Sequence, residues 1–83
     1  MSELSVVIIT FNEEKNIARC IDSVKDIADD IVVVDSFSTD KTQEICSQYN
    51  LRFVQRKWED YSRAKNYGNE LAQYNYVFSI DAD

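Results

Sequence analysis

The sequence predicts an α/β fold: a parallel sheet of four strands with helices on both faces, in the order β-α-β-α-β-α-β. Three observations lead there. Apolar runs of strand length, rich in β-branched residues, alternate with stretches whose apolar residues recur at helical spacing. The connections between them are short, which favours right-handed crossovers over separate layers. Polar and acidic residues follow the strands instead of interrupting them. For such a chain the expected strand order is 3-2-1-4, with a topological switch point between the first and fourth strands.

Each element has its own signature. "LSVVIITF" (Leu4 to Phe11) is a continuous apolar run, as expected of a strand buried on both faces. Ile17, Cys20, Ile21, Val24 and Ala28 then form a helical stripe, with Asn12 as N-cap and Glu13 and Glu14 in the first turn, where they complement the helix dipole. "DIVVVD" (Asp30 to Asp35) is a second buried strand. In "STDKTQEICSQY", Asp40 and Gln43 are spaced like a capping box, and Thr42, Ile45, Cys46 and Tyr49 share a face. "LRFVQ" alternates more and is shorter, which suits a strand near a sheet edge. Tyr61, Ala64, Gly68, Leu71 and Ala72 make a third helical stripe, and "YVFSI" is the fourth strand.

Composition narrows the function classes. Eighty-three residues make one small domain, residues 1–83, and a chain of that size buries only about 60–65% of its unfolded surface. Nine basic against fifteen acidic residues give a net charge of −6, a surface that repels a phosphate backbone, so no nucleic-acid partner is expected. One glycine and no proline exclude both glycine-rich phosphate cradles, G-x-G-x-x-G and G-x-x-x-x-G-K-[ST]. "MSELSVVIIT" has no positive n-region and reads as a strand, not a leader, so the expected location is the cytoplasm. Cys20 and Cys46 fall on apolar helical stripes and are expected as buried thiols, with a disulfide as the open alternative and a zinc site remote without any His; Trp58 is expected as a packed aromatic.

Ligands of such sheets bind outside the carboxyl ends of the strands, near the switch point. The segments that follow the strands are "TFNEE", "DSFSTD", "QRKWED" and "DAD", so acidic groups converge on one rim. Asp81 and Asp83 lie on one side of an extended segment, and paired hard oxygen donors suit Mg²⁺ or Mn²⁺ with a substrate diphosphate completing the shell. Structural roles compete with this. D-x-D alone is common in turns, Asp35 could order the loop into the second helix, and Ser38, Thr39 and Asp40 could cap that helix. Arg63 and Lys65 could be exposed helix charges. Co-location favours function, since Thr10, Asp35, Lys65 and the terminal pair can face one cleft.

Four segments in series, "VVIITFNEEKNI", "IVVVDSFSTDKT", "SRAKNYG" and "FSIDAD", resemble the amino-terminal half of family 2 glycosyltransferases, whose fold is the Rossmann-like GT-A fold. The resemblance spans essentially the whole chain. "VDSFSTDKT" with "RAKNYG" is most similar to the branch that includes bacterial lipopolysaccharide-core β-glucosyltransferases. It implies that Thr10, Phe11, Asn12 and Glu13 line the base and ribose pocket and that Asp35 and Ser36 occupy the base-recognising pair. It further implies that Lys65 approaches the nucleotide, and that Asp81 and Asp83 hold Mg²⁺ or Mn²⁺ on the diphosphate of a nucleotide sugar, UDP-sugar being favoured. The implied reaction is inverting transfer to a glycan or lipid-linked acceptor in cell-envelope polysaccharide synthesis.

Where the family often carries Asp-Asp-Gly-Ser, this chain has Asp35-Ser36-Phe37-Ser38. The second acid and the glycine are both replaced. The family's catalytic base lies beyond its D-x-D, so no catalytic residue is assigned within these 83. The expectation is the front half of a larger enzyme, binding donor without turning it over, with any membrane association supplied by the remainder. Two other classes fit less well. A nucleotidyltransferase would carry a glycine- and basic-rich loop in place of "TFNEE". A non-catalytic α/β binding module of the receiver kind would gather its acids after the first and third strands.

Overall fold

The computed structural model describes residues 3–58, 60–74 and 76–81. The elements are β1 (Leu4–Thr10), α1 (Ile17–Val24), β2 (Asp30–Asp35), α2 (Thr42–Cys46), β3 (Arg52–Gln55), α3 (Tyr61–Leu71) and β4 (Tyr76–Asp81). All pair in parallel in one sheet of order β3-β2-β1-β4, as the sequence predicts. β3 is the short edge strand.

Alternation along β1 and β2 separates two apolar layers. Val6 and Ile8 of β1 and Ile31 and Val33 of β2 pack with Ile17, Ile21 and Val24 of α1 and Cys46 of α2. Val7, Ile9, Val32 and Val34 turn to the other face, where Ala64, Tyr67 and Leu71 of α3 cover them. The central strands are therefore apolar without a break over residues 6–9 and 31–34, because both faces are covered there. Each fully buried Val or Ile stabilises the fold by about 1.5–3 kcal/mol relative to exposure. Gly68 lets α3 come this close: a Cβ there would overlap Val7 Cγ1 and lie 3.2 Å from Val34 Cγ2.

The helix starts differ from expectation. α1 begins at Ile17, and its first turn holds no acidic residue. Asn12 is left-handed, with φ 51°, which is not the extended geometry of an N-cap. Instead the Glu13 carbonyl accepts from the Asn16 and Ile17 amides at 2.9 and 2.8 Å. The stripe also ends early: Val24 closes α1, and its carbonyl accepts from Ile27 and Ala28 in a turn. α2 is short, and Asp40 accepts from the Thr42 amide at 2.9 Å with no Gln43 bond completing a capping box among the described residues. Asp60 does cap α3 as an N-cap should, accepting from the Arg63 amide at 2.8 Å. Neither cysteine is in a disulfide; Cys46 is buried and Cys20 half-buried. Trp58 is not packed as expected; it is half exposed.

Candidate functional site

The sheet register sets three residues in a row at the carboxyl edge: Thr10 pairs with Asp35, and Asp35 with Gln55. Odd positions of β2 face α1 and α2, so the Asp35 carboxylate turns toward that layer and is fully buried. A buried carboxylate needs partners, and it has three donors. The Ser38 amide donates to it at 2.8 Å and Gln55 Nε2 at 3.2 Å, while the Ser38 hydroxyl donates to its other oxygen. Asp35 thus orders the loop after β2 with both of its oxygens. Its neighbour Thr10 is the converse: its Oγ1 is buried and has no hydrogen-bond partner among the described residues.

The loops after β1 and β2 are fastened to each other. Ser38 Oγ accepts from the Asn12 amide at 2.8 Å, and Asn12 Oδ1 accepts from the Thr39 amide at 2.8 Å. Further on, the Glu13 amide donates to Thr42 Oγ1 at 3.0 Å, and Thr42 Oγ1 donates to Asp40 Oδ1 at 2.6 Å. Asp40 Oδ2 also accepts from the Glu14 amide at 3.2 Å. Burial pushes the Asp40 carboxyl up, but these hydrogen bonds from Thr42 and Glu14 outweigh it and hold it below the usual range. Thr42, which the sequence places on an apolar face, is buried because it is the joint between the loops.

Of the other residues singled out by sequence, Ser36 is buried and its amide donates to the Thr10 carbonyl at 3.1 Å. Phe11 stands exposed, and Glu13 accepts from Asn16 Nδ2 at 3.1 Å. Lys65 is exposed on α3, the helix that covers the face opposite the Asp35 carboxylate. The structure therefore brings Thr10 and Asp35 together but sets Lys65 apart from them. The backbone of Asp81 ends β4 opposite Ile9, one position before Thr10. Asp83 lies outside the described residues.

Three contributors are not visible in sequence. Ser38 and Gln55 complete the Asp35 carboxylate from loop and strand, and Arg56 stacks over the Tyr67 ring, 4.4 Å from its centroid. Gln55 as the last residue of β3 was the available signal; its partner lies twenty residues away. Under the row, burial pushes the Cys46 thiol up to about 11, with the nearby charges of Asp35 and Cys20 adding to it, so it is an inert packing residue.

A divalent cation would find little at Asp35, whose oxygens are committed, and no three His, Cys, Asp or Glu side chains cluster among the described residues. Two carboxylates one residue apart, as the sequence sets Asp81 and Asp83, are chemistry that suits Mg²⁺ or Mn²⁺. No helix among the described residues is long and apolar enough to cross a membrane.

A parallel sheet of order β3-β2-β1-β4 with a switch point between β1 and β4 defines a doubly wound α/β protein, a class whose ligands bind at the carboxyl edge. The family model for glycosyl transferase family 2 matches residues 5–83, and the chain belongs to that family. An uncharacterized glycosyltransferase of Rickettsia felis is 41% identical over 83 residues, all of this chain and 29% of its own length. The lipopolysaccharide core biosynthesis glycosyltransferase LpsC of Rhizobium meliloti is 38% identical over 85 residues, covering 96% of this chain and 31% of its own. The chain thus spans about three tenths of the length of these curated relatives. Among solved structures, glucosyl-3-phosphoglycerate synthase from Mycobacterium tuberculosis, in complex with Mn²⁺, UDP and glucosyl-3-phosphoglycerate, superposes with a TM-score of 0.86 at 26% identity. That match covers 99% of this chain and 34% of the other. The same enzyme was also crystallised with Mg²⁺ and UDP. The GT-A fold that the sequence implies is the fold of these structural neighbours.

Proposed function

We infer that this chain is the donor-binding part of an inverting glycosyltransferase that takes a sugar from a nucleoside diphosphate sugar, UDP-sugar above all. The observation that carries this is the carboxyl edge itself. Thr10, Asp35 and Gln55 align there across three strands, and β4 brings Asp81 to the same edge on the far side of β1. The loops after β1 and β2 would hold the base and ribose, with Thr10, Phe11, Asn12, Glu13 and Ser36 lining the pocket. Asp35 would act through the loop it orders more than by touching the base.

Asp81 and Asp83 would hold Mg²⁺ or Mn²⁺, which supplies Lewis-acid stabilisation of the departing nucleoside diphosphate. Lys65 would approach the phosphates only from the α3 side. The general base of this family is expected beyond its D-x-D, so these residues would bind donor without turning it over. The likeness to LpsC supports a cell-envelope glycan or lipid-linked acceptor, and the work would be done in the cytoplasm or at the inner face of its membrane.

Titration of the chain with UDP and Mg²⁺, followed by amide chemical shifts and repeated with ADP and with Asp81→Asn/Asp83→Asn, tests this. The expected result is a metal-dependent response at Thr10, Asn12 and Asp35 that is stronger for UDP and absent in the double variant. Metal-independent shifts of equal size for UDP and ADP would point instead to a non-catalytic nucleotide-binding module.

A further inference from the structure

Phe37 combines two features that folding alone does not explain. Its φ is 58°, in the left-handed region that residues with a Cβ seldom occupy. Its ring is 54% exposed, so no burial compensates for the strained backbone. A glycine would take this turn freely, yet the chain places a large aromatic side chain here. The strain is imposed from both sides. Behind Phe37, the Ser36 amide is bonded to the Thr10 carbonyl. Ahead of it, Ser38 is held by Asp35 through amide and hydroxyl and accepts from the Asn12 amide. Left-handed strain persists where its surroundings over-determine it, and such positions concentrate at ligand sites.

The loop therefore holds an exposed ring at the carboxyl edge, two residues past the end of β2. Phe11, 55% exposed, does the same from the neighbouring loop. A neutral π-face offers nothing to a diphosphate, but it matches a planar base in shape and polarity. A chain of net charge −6 also gains little from general electrostatic attraction to a nucleotide, which leaves room for contacts of this kind to add affinity.

We propose that Phe37 is a base-stacking residue that sets the affinity of the donor site for its nucleobase. This rests on the donor-site assignment above. Because every base has a π-face, stacking on Phe37 adds affinity without choosing among bases. It deepens that assignment at a position where family 2 sequences resembling this one often have a glycine.

The test is binding of UMP, AMP and ribose 5-phosphate to the wild-type chain and to Phe37→Gly, with thermal unfolding of both. The expected result is roughly 5- to 100-fold weaker binding of UMP and AMP alike in the variant. Ribose 5-phosphate binding should be unchanged, and the unfolding midpoint unchanged or higher because glycine relieves the turn. Phe37→Asn, which tolerates the left-handed region, carries the comparison if the glycine variant unfolds early. Unaltered UMP affinity overturns the proposal and leaves the donor site standing, as does equal weakening of ribose 5-phosphate, which would mean a general loop defect. A wild-type chain that binds none of the three at millimolar concentration overturns the donor site, and Phe37's role with it.

Discussion

Thr10 and Asp35 sit side by side at the ends of β1 and β2, yet the hydroxyl of one has no hydrogen-bond partner among the described residues and the carboxylate of the other has three donors. Substitutions that remove polar capacity should therefore act with opposite signs. Thr10→Val replaces an orphaned buried hydroxyl with a methyl and should raise stability by up to about 1 kcal/mol. Asp35→Asn turns an amide NH₂ toward groups that are themselves donors and should lower it by about 1–3 kcal/mol. Urea unfolding of both variants at pH 7 reads the two signs; an Asp35→Asn chain as stable as wild type would mean those bonds do not hold the loop. Asp35 was legible in sequence as an acid at a strand end, with loop ordering already one of its two readings. What decided between them was Gln55 and Ser38, whose approach depends on strand register and on a left-handed turn at Phe37. Neither follows from local pattern.

At the scale of elements, the strands were legible because burial on both faces leaves an apolar run, and helix starts were not. Asn12, Glu13 and Asp40 are residue types that start helices, but each is bonded between the two loops instead. Long-range partners outcompeted local capping there, whereas Asp60, which the sequence pattern did not single out, caps α3. α3 supplies the sharpest test of packing. On an open helix face Gly→Ala stabilises by about 1 kcal/mol. At Gly68 the added methyl meets Val7 Cγ1, part of a rigid branched side chain in the middle of β1, and Val34 stands close by. Overpacking should win, and Gly68→Ala should cost about 1–3 kcal/mol. A rise in the thermal midpoint of that variant would show that α3 sits farther from the sheet than described.

Across the whole molecule, the two edges of the sheet do different work. The amino edge is tied by Asp30, which accepts from Ser5 Oγ at 2.9 Å, Arg52 at 2.8 Å and the Gln73 amide at 2.9 Å. Arg52 also donates to the Leu71 carbonyl at 2.5 Å, so one carboxylate links β1, β2, β3 and the end of α3. Burial pushes the Asp30 carboxyl up, but the bonds from Gln73, Arg52 and Ser5 and the Arg52 charge hold it below its usual value. A carboxyl more acidic folded than unfolded contributes fully above the unfolded pKa, about 3.9, and loses that contribution as pH falls through the folded one. Stability should thus fall as pH drops through and below about 3.9, and Asp30→Asn should flatten that acid limb in urea midpoints taken across the range; an unchanged acid limb would assign it to other groups.

The carboxyl edge is fastened by a different device, the bonds that run from Asn12, Glu13 and Glu14 to Ser38, Thr39, Asp40 and Thr42. Two loops joined in this way move as one body. A ligand entering between them meets main chain that was already ordered when the sheet formed, so little conformational entropy remains to be lost on association. Recognition at this edge would then resemble a key entering a fixed lock, fast to engage and sensitive to the shape of its guest.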